Sequence, residues 1–130
     1  MKKEEVKKLV DELEMEINNG GFDQFFFNSA GDNTDKIITA LEMIGASHTA
    51  QIVQKALKKF PDGKTPTDRV TRQKILETIS PDSDAFEEED DMFFEYVDDL
   101  EELVENYLNY NGPIFLNHLD VVQKTIYLLI

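Results

Sequence analysis

The sequence contains no cysteine, and it has no long apolar run. Without cysteine the chain cannot form a disulfide framework, a thiolate metal site or a cysteine nucleophile, and a reducing compartment is expected. No stretch reaches the roughly 20 apolar residues of a transmembrane helix, and the basic N-terminus is not followed by the apolar core of a secretory signal. We therefore expect a cytoplasmic protein without a membrane-spanning segment.

Basic residues are missing from one large part of the chain. No Lys or Arg lies between Lys74 and Lys124, whereas that stretch holds 15 Asp and Glu, 13 of them between Asp82 and Glu105. The rest of the chain is close to neutral, so the formal net charge of −14 comes from one segment. A surplus of this kind argues against direct binding of nucleic acid or of an anionic membrane, and it favours a basic protein partner.

Apolar residues recur at helical spacing along most of the chain, which predicts an all-α fold. The short connections favour a single-domain antiparallel bundle of about five to seven helices. We predict a helical domain over residues 1–112 and an apolar C-terminal extension over residues 113–130, which packs on the domain or on a partner chain. The predicted helices span residues 2–17, 22–28, 33–44, 47–59 and 67–79, followed by one long helix from 86–90 to 110.

The last predicted helix carries most of the acids. On a helical wheel its apolar residues share one side, and a row of carboxylates occupies the opposite side. We call this row the predicted acidic stripe, and beyond its first turn at Glu87 it comprises Asp91, Glu95, Asp98, Glu102 and Glu105. Glu89 falls on the apolar side, so we expect the helix to start near Asp90 or the segment before Asp90 to turn away.

The predicted acidic stripe has two interpretations. A solvated helix face is the simpler one, but such a face usually mixes charge signs, because like pairs at this spacing cost about 0.2–0.5 kcal/mol each. Neutralising Asp98 and Glu102 together should then raise the melting temperature at low salt. The second interpretation is a binding surface, because a row of fixed anions resembles the edge of a DNA duplex. Such a surface could occupy the basic cleft of a DNA-binding protein.

No motif for catalysis or metal binding accompanies the acids. An EF-hand loop that began at Asp82 would need glycine where Glu87 stands and glutamate where Phe93 stands. Neither His48 nor His118 has a ligand-type partner at helical spacing, and phosphate-loop and hydrolase motifs are absent from the sequence. We expect no metal, no cofactor and no enzymatic activity, although a triad assembled from distant residues would leave no such pattern.

Residues 18–32 read Asn-Asn-Gly-Gly-Phe-Asp-Gln-Phe-Phe-Phe-Asn-Ser-Ala-Gly-Asp, and we call them the hallmark segment. This segment resembles the hallmark of a bacterial family of small helical proteins whose namesake is called a DNA-mimic protein. Stretches at 40–46, 56–61 and 86–94 agree with the same family in order and spacing. The resemblance covers about residues 10–110. It implies an all-α fold, dimerisation, and mimicry of DNA toward a DNA-binding regulator.

The hallmark segment also has two interpretations. Its glycines would suit a tight turn and its aromatic residues a core; alternatively, its polar side chains would line a cleft for a peptide or small ligand. The residues of that predicted ligand cleft are Asn19, Gln24, Asn28 and Asp32, with Phe22 as a wall. The leading hypothesis is a non-enzymatic acidic interaction protein that acts as a DNA mimic, and the alternative is a binding module that uses Asn18–Asp32.

A single positive region balances the acidic segment. Its members lie between residues 55 and 74 and comprise Lys55, Lys58, Lys59, Lys64, Arg69, Arg72 and Lys74. The simplest interpretation is a solubilising face. A second use would be contact with the acidic stripe of another copy, which would produce a homodimer.

Overall fold

The computed structural model describes residues 1–110, and these residues form an all-α domain. Its six α-helices are α1 (Lys3–Phe27), α2 (Thr34–Met43), α3 (Ser47–Leu57), α4 (Arg69–Ile79), α5 (Glu87–Phe94) and α6 (Leu100–Asn109). Short 3₁₀ helices occupy Ser29–Asn33 and Pro61–Gly63, and no β-strand occurs within the described range. The predicted all-α fold is confirmed. The predicted boundary at residue 112 and the extension over 113–130 lie outside the described residues.

Helix α1 consists of two helical segments that join at a pair of glycines. Gly21 has a φ of 73°, in the left-handed region that favours glycine, and Gly20 also departs from helical geometry. A Cβ atom at Gly21 would lie 2.5 Å from a carboxylate oxygen of Asp90, so a side chain there would displace this carboxylate. The predicted separation of a helix over residues 2–17 from a second helix over residues 22–28 is confirmed, with the break at Gly20 and Gly21.

Aromatic rings fill the centre of the domain. Phe22, Phe25 and Phe26 from the second segment of α1 are fully buried. The ring centroid of Phe26 lies 4.8 Å from that of Phe60 and 5.2 Å from that of Phe86, which anchor the ends of α3 and α5. Rings at these separations add attraction beyond the burial of their apolar area. Helix α1 consequently forms the centre of the fold, in contact with α2, α4, α5 and α6.

The middle helices agree with the sequence prediction to within a few residues. Asp68 caps α4, because its carboxylate accepts a hydrogen bond from the backbone N–H of Thr71 at 2.9 Å. The N-cap residue of α3 is Ala46, and no side chain within this helix caps it. Val70 of α4 is apolar, yet 58% of its surface is exposed.

The prediction of one long helix from residues 86–90 to 110 is wrong. Helix α5 ends at Phe94, and Tyr96 adopts a φ of 46° before α6 begins at Leu100. Helix α6 starts there because the carboxylate of Asp99 accepts a hydrogen bond from the backbone N–H of Glu102 at 3.1 Å. Val97 has the helical spacing of the apolar residues in the predicted long helix. It nevertheless lies in the segment between α5 and α6 and is 60% exposed.

The position of Glu89 agrees with neither of the two alternatives predicted from the sequence. Helix α5 begins at Glu87, before Asp90, and the segment does not turn away. Glu89 keeps its inward position, where its side chain is fully buried and forms an ion pair with Lys59. A cation carried from the end of α3 therefore allows a carboxylate to occupy a core-facing position.

Candidate functional site

A buried arginine holds the second half of the hallmark segment. Arg72 of α4 is fully buried, and its Nε donates to the carbonyl of Phe26 at 2.7 Å. Its Nη2 donates to the carbonyl of Asn28 at 3.0 Å and to Oδ1 of Asp32 at 2.7 Å. A Cβ atom at Gly31 would lie 2.8 Å from Nε, so glycine is required for this approach. Gly31 and Asp32 therefore serve the fold.

The first half of the hallmark segment is fixed by carboxylates. Oδ1 of Asp90 accepts a hydrogen bond from the backbone N–H of Phe22 at 2.8 Å and so caps the second segment of α1. Oε2 of Glu16 accepts from Gln24 Nε2 at 3.0 Å and from Asn28 Nδ2 at 2.9 Å. Phe22 is fully buried, so the prediction that it forms the wall of a ligand cleft is wrong.

The structure brings together only two of the four remaining residues of the predicted ligand cleft. Asn19 is exposed, and Asp32 pairs with Arg69 and Arg72. Gln24 and Asn28 do share one groove, of about 580 Å³, between α1 and α4. Other side chains that line this α1–α4 groove are Asp23, Phe27, Leu76, Glu77 and Ser80.

The predicted acidic stripe is divided by the break between α5 and α6. Asp91 lies on α5 and Glu95 directly follows it, and both are exposed; Glu102 and Glu105 are exposed on α6. Asp98 differs from them, because its carboxylate accepts two hydrogen bonds from Thr49 and is partly buried. A continuous row of five carboxylates on one helix therefore does not exist.

Acids from two helices meet in a groove that the sequence analysis did not predict. Asp11 and Glu14 of α1 face Glu101 and Glu105 of α6 across a groove of about 610 Å³, which we call the acidic groove. Lys7 is the one cation among the described residues that line it, and Lys7 forms an ion pair with Asp11. Only Glu105 had been singled out from the sequence. Asp11 and Glu14 have the spacing of neighbours on one helix face, and so do Glu101 and Glu105. The sequence does not show, however, that these two faces lie next to each other.

The carboxylates of the acidic groove influence one another. Burial raises the pKa of Glu14, a hydrogen bond from the Tyr96 hydroxyl opposes that rise, and repulsion from Asp11, Glu101 and Asp99 adds to it. The Tyr96 hydroxyl donates to Glu14 Oε2 at 2.9 Å. The left-handed backbone of Tyr96 is thus held by a contact with this groove.

The predicted positive region is not a free cationic surface. Arg72 is buried, and Arg69 pairs with Asp32 at 3.1 Å. Lys55 forms an ion pair with Glu88, and Lys59 forms one with Glu89. Four of its seven members therefore pair with carboxylates of the same chain, which weakens the idea that this region meets the acidic stripe of another copy.

Two features of the described chain bear on other kinds of site. No cluster of three or more His, Asp or Glu side chains within residues 1–110 has a geometry suited to a metal ion. Across those same residues, no helix combines the length and the apolar character needed to cross a membrane.

The fold and the acidic groove define a small all-α protein whose most distinctive surface is carboxylate-rich. A family model described as DMP19-like protein, where the name refers to DNA mimic protein 19, matches residues 4–111, and the chain belongs to this family. The resemblance of the hallmark segment to a DNA-mimic family is thereby confirmed. No curated protein and no solved structure matches the chain.

Proposed function

We propose that this chain is a non-enzymatic interaction protein whose acidic surface occupies the basic cleft of a DNA-binding protein, as a DNA mimic. The observation that carries the proposal is the acidic groove, where Asp11, Glu14, Glu101 and Glu105 converge from two helices. Membership in a family named after a DNA mimic supports the same conclusion.

The geometry of the groove suits a cationic partner. Helix α6 runs antiparallel to the first segment of α1, because Tyr96 bonds to Glu14 at one end and the carbonyl of Tyr110 accepts from Lys3 at the other. Two rows of carboxylates on rigid helices present fixed anions, as the two strands of a duplex do. Mutual repulsion among these acids is a cost that Lys and Arg side chains of a partner would relieve.

The exposed members of the predicted acidic stripe belong to this proposal as well. Asp91, Glu95 and Glu102 have exposed side chains and add negative charge outside the groove. They would contribute chiefly to the rate of association, as charges at the rim of an interface usually do. Asp98 is left out of the proposed surface, because its carboxylate is engaged by Thr49.

A capture experiment tests the proposal. The immobilised protein should retain a DNA-binding protein from a bacterial lysate at low salt, and added duplex DNA should displace that protein. Retention should fall steeply as the salt concentration rises, because binding of the two charged surfaces releases their counterions. The variant Glu101→Gln/Glu105→Gln should bind the captured partner roughly tenfold more weakly.

The matched control is Asp62→Asn/Asp82→Asn, which removes two exposed carboxylates that do not line the groove. It should bind as the unaltered chain does, because Asp62 and Asp82 lie outside the acidic groove, although this variant loses the same two charges as Glu101→Gln/Glu105→Gln. Equal weakening in both variants would show that total charge, and not the groove, attracts the partner. Capture that duplex DNA cannot displace would contradict mimicry.

The α1–α4 groove favours a second candidate function, the binding of a peptide or small ligand. It presents the carboxylates of Asp23 and Glu77 beside the ring of Phe27, which is 47% exposed. An aromatic face next to carboxylates suits a cationic side chain. Substituting Phe27→Ala should abolish binding of Lys- or Arg-containing peptides if this groove is a site, and it should leave capture of a DNA-binding protein unchanged.

A further inference from the structure

A third groove runs along the outer face of the first segment of α1. Its volume is about 550 Å³, and its apolar walls are Met15, Leu108 and the aliphatic stems of Lys3, Lys7 and Lys8. Met15 is 61% exposed, so its apolar side chain is open to an occupant of this groove. We call this feature the α1 outer groove.

The α1 outer groove is lined by charges of both signs in equal number, three lysines and three carboxylates, and two of the lysines form ion pairs within α1. Lys7 lies 2.5 Å from Asp11, and Lys8 lies 4.0 Å from Glu12. Both pairs have the i,i+4 spacing that joins neighbours on one helix face. This face is therefore nearly neutral, in contrast to the acidic groove beside it, and it suits an apolar occupant without net charge.

The described chain ends at the mouth of the α1 outer groove. The ammonium of Lys3 donates to the backbone carbonyl of Tyr110 at 2.6 Å and lies 5.8 Å from the ring centroid of Tyr107. The groove extends from Lys3 to Met15, roughly 18 Å of helix. A segment that follows Tyr110 and reverses direction would thus run along the groove, antiparallel to α6.

We propose that residues 114–130 of the same chain dock in the α1 outer groove. Of these 17 residues 11 are apolar, and Asp120 and Lys124 are their only Asp, Glu, Lys or Arg residues and cancel in charge. The preceding Asn111-Gly112-Pro113 consists of residues that favour turns, and short turns join antiparallel helices. Length, polarity and point of attachment all match the groove. Asp11 and Leu108 line both grooves, so the docked segment would border the acidic groove.

Pairs of introduced cysteines test this docking in the full chain. Because the sequence has no cysteine, each introduced pair is the only source of a disulfide. Met15→Cys is combined, one at a time, with Leu119→Cys, Val121→Cys, Val122→Cys or Ile126→Cys. Mild oxidation of dilute protein should give an intramolecular disulfide in at least one combination. The rate should exceed by about tenfold that of the control, in which Glu77→Cys on α4 replaces Met15→Cys.

Two outcomes would overturn the proposal. In the first, no Met15→Cys pair forms a disulfide faster than its Glu77→Cys control. In the second, the disulfides join two chains, which would show that a second copy fills the groove. Each variant is first checked for cooperative unfolding; since four positions are probed, loss of folding in one of them leaves the comparison intact.

Discussion

The carboxylate of Asp98 accepts hydrogen bonds from the backbone N–H of Thr49 at 2.8 Å and from its hydroxyl at 2.9 Å. Thr49 lies in the first turn of α3, whose N-cap residue Ala46 offers no side-chain acceptor. Asp98 therefore supplies, from the connection between α5 and α6, the cap that α3 lacks locally. This contact also ties that connection to the N-terminus of α3.

This cap reverses the expected effect on stability of removing the Asp98 charge. Repulsion along the predicted acidic stripe would make removal of the Asp98 charge stabilising, but the structure makes this carboxylate a cap. We expect Asp98→Ala to lower the free energy of unfolding by about 1–2 kcal/mol. Glu102→Ala, at an exposed position, should change it by only a few tenths of a kcal/mol. Urea unfolding of both variants checks this, and an increase in stability for Asp98→Ala would contradict the capping role.

The buried guanidinium of Arg72 predicts a large loss of stability. Lysine cannot satisfy the carbonyls of Phe26 and Asn28 together with Asp32, so Arg72→Lys should cost about 3 kcal/mol or more. Arg69→Lys is the matched control, because Arg69 pairs with the same carboxylate from an exposed position and should cost at most about 1 kcal/mol. Similar losses for both substitutions, measured by thermal and denaturant unfolding, would argue against this interpretation.

The ion pair between Lys59 and Glu89 predicts a non-additive pair of substitutions. Lys59→Met should destabilise by roughly 2–3 kcal/mol, since it leaves a buried carboxylate whose oxygens accept no hydrogen bond in the described structure. Adding Glu89→Leu should restore or exceed the original stability, because an apolar side chain then fills a core position. A double-mutant cycle from denaturant unfolding measures the coupling, and additive effects would contradict it.

The dependence of stability on pH should have a maximum on the acid side of neutrality. Burial raises the pKa of Glu14, whose ordinary value is 4.5, and likewise the pKa values of Asp23 and Asp90. Groups with a raised pKa in the folded state destabilise it once ionised, so stability should increase as pH falls from neutral toward 4.5.

Below pH 3.8 we expect the opposite trend, in which stability falls as pH falls. Burial opposes the shift at Asp32, but hydrogen bonds from Arg69 and Arg72 lower the pKa of that carboxyl below its ordinary 3.8. Hydrogen bonds from Thr71 likewise lower the pKa of Asp68. Their stabilisation is present above 3.8 and is lost as pH falls through the folded-state pKa values. Denaturant unfolding measured from neutral pH downward tests the role of Glu14. The increase in stability between neutral pH and pH 4.5 should be smaller for Glu14→Gln, and an unchanged profile would exclude Glu14 as a contributor.

Most of the fold could be predicted because its signals are local. Apolar spacing located α2, α3 and α4, and the glycine pair located the kink in α1. The break before α6 was missed because Val97 continued the apolar periodicity, while the capping tendency of the consecutive residues Asp98 and Asp99 was the signal that could have revealed it. The spacing of apolar residues indicates which side of a helix faces the core. It does not show whether the backbone hydrogen bonds of that helix continue without interruption.

The sequence alone determined that this protein is helical, has an aromatic centre and carries a large excess of carboxylates in one segment. Only the tertiary structure decided what each carboxylate does. Asp90 and Asp98 cap other helices and Glu89 neutralises a lysine, while Glu101 and Glu105 face Asp11 and Glu14 across a groove. The physical reason is that net charge and helical phase follow from neighbours along the chain. A cap, an ion pair or a shared groove, in contrast, depends on distances of a few ångströms between residues far apart in sequence.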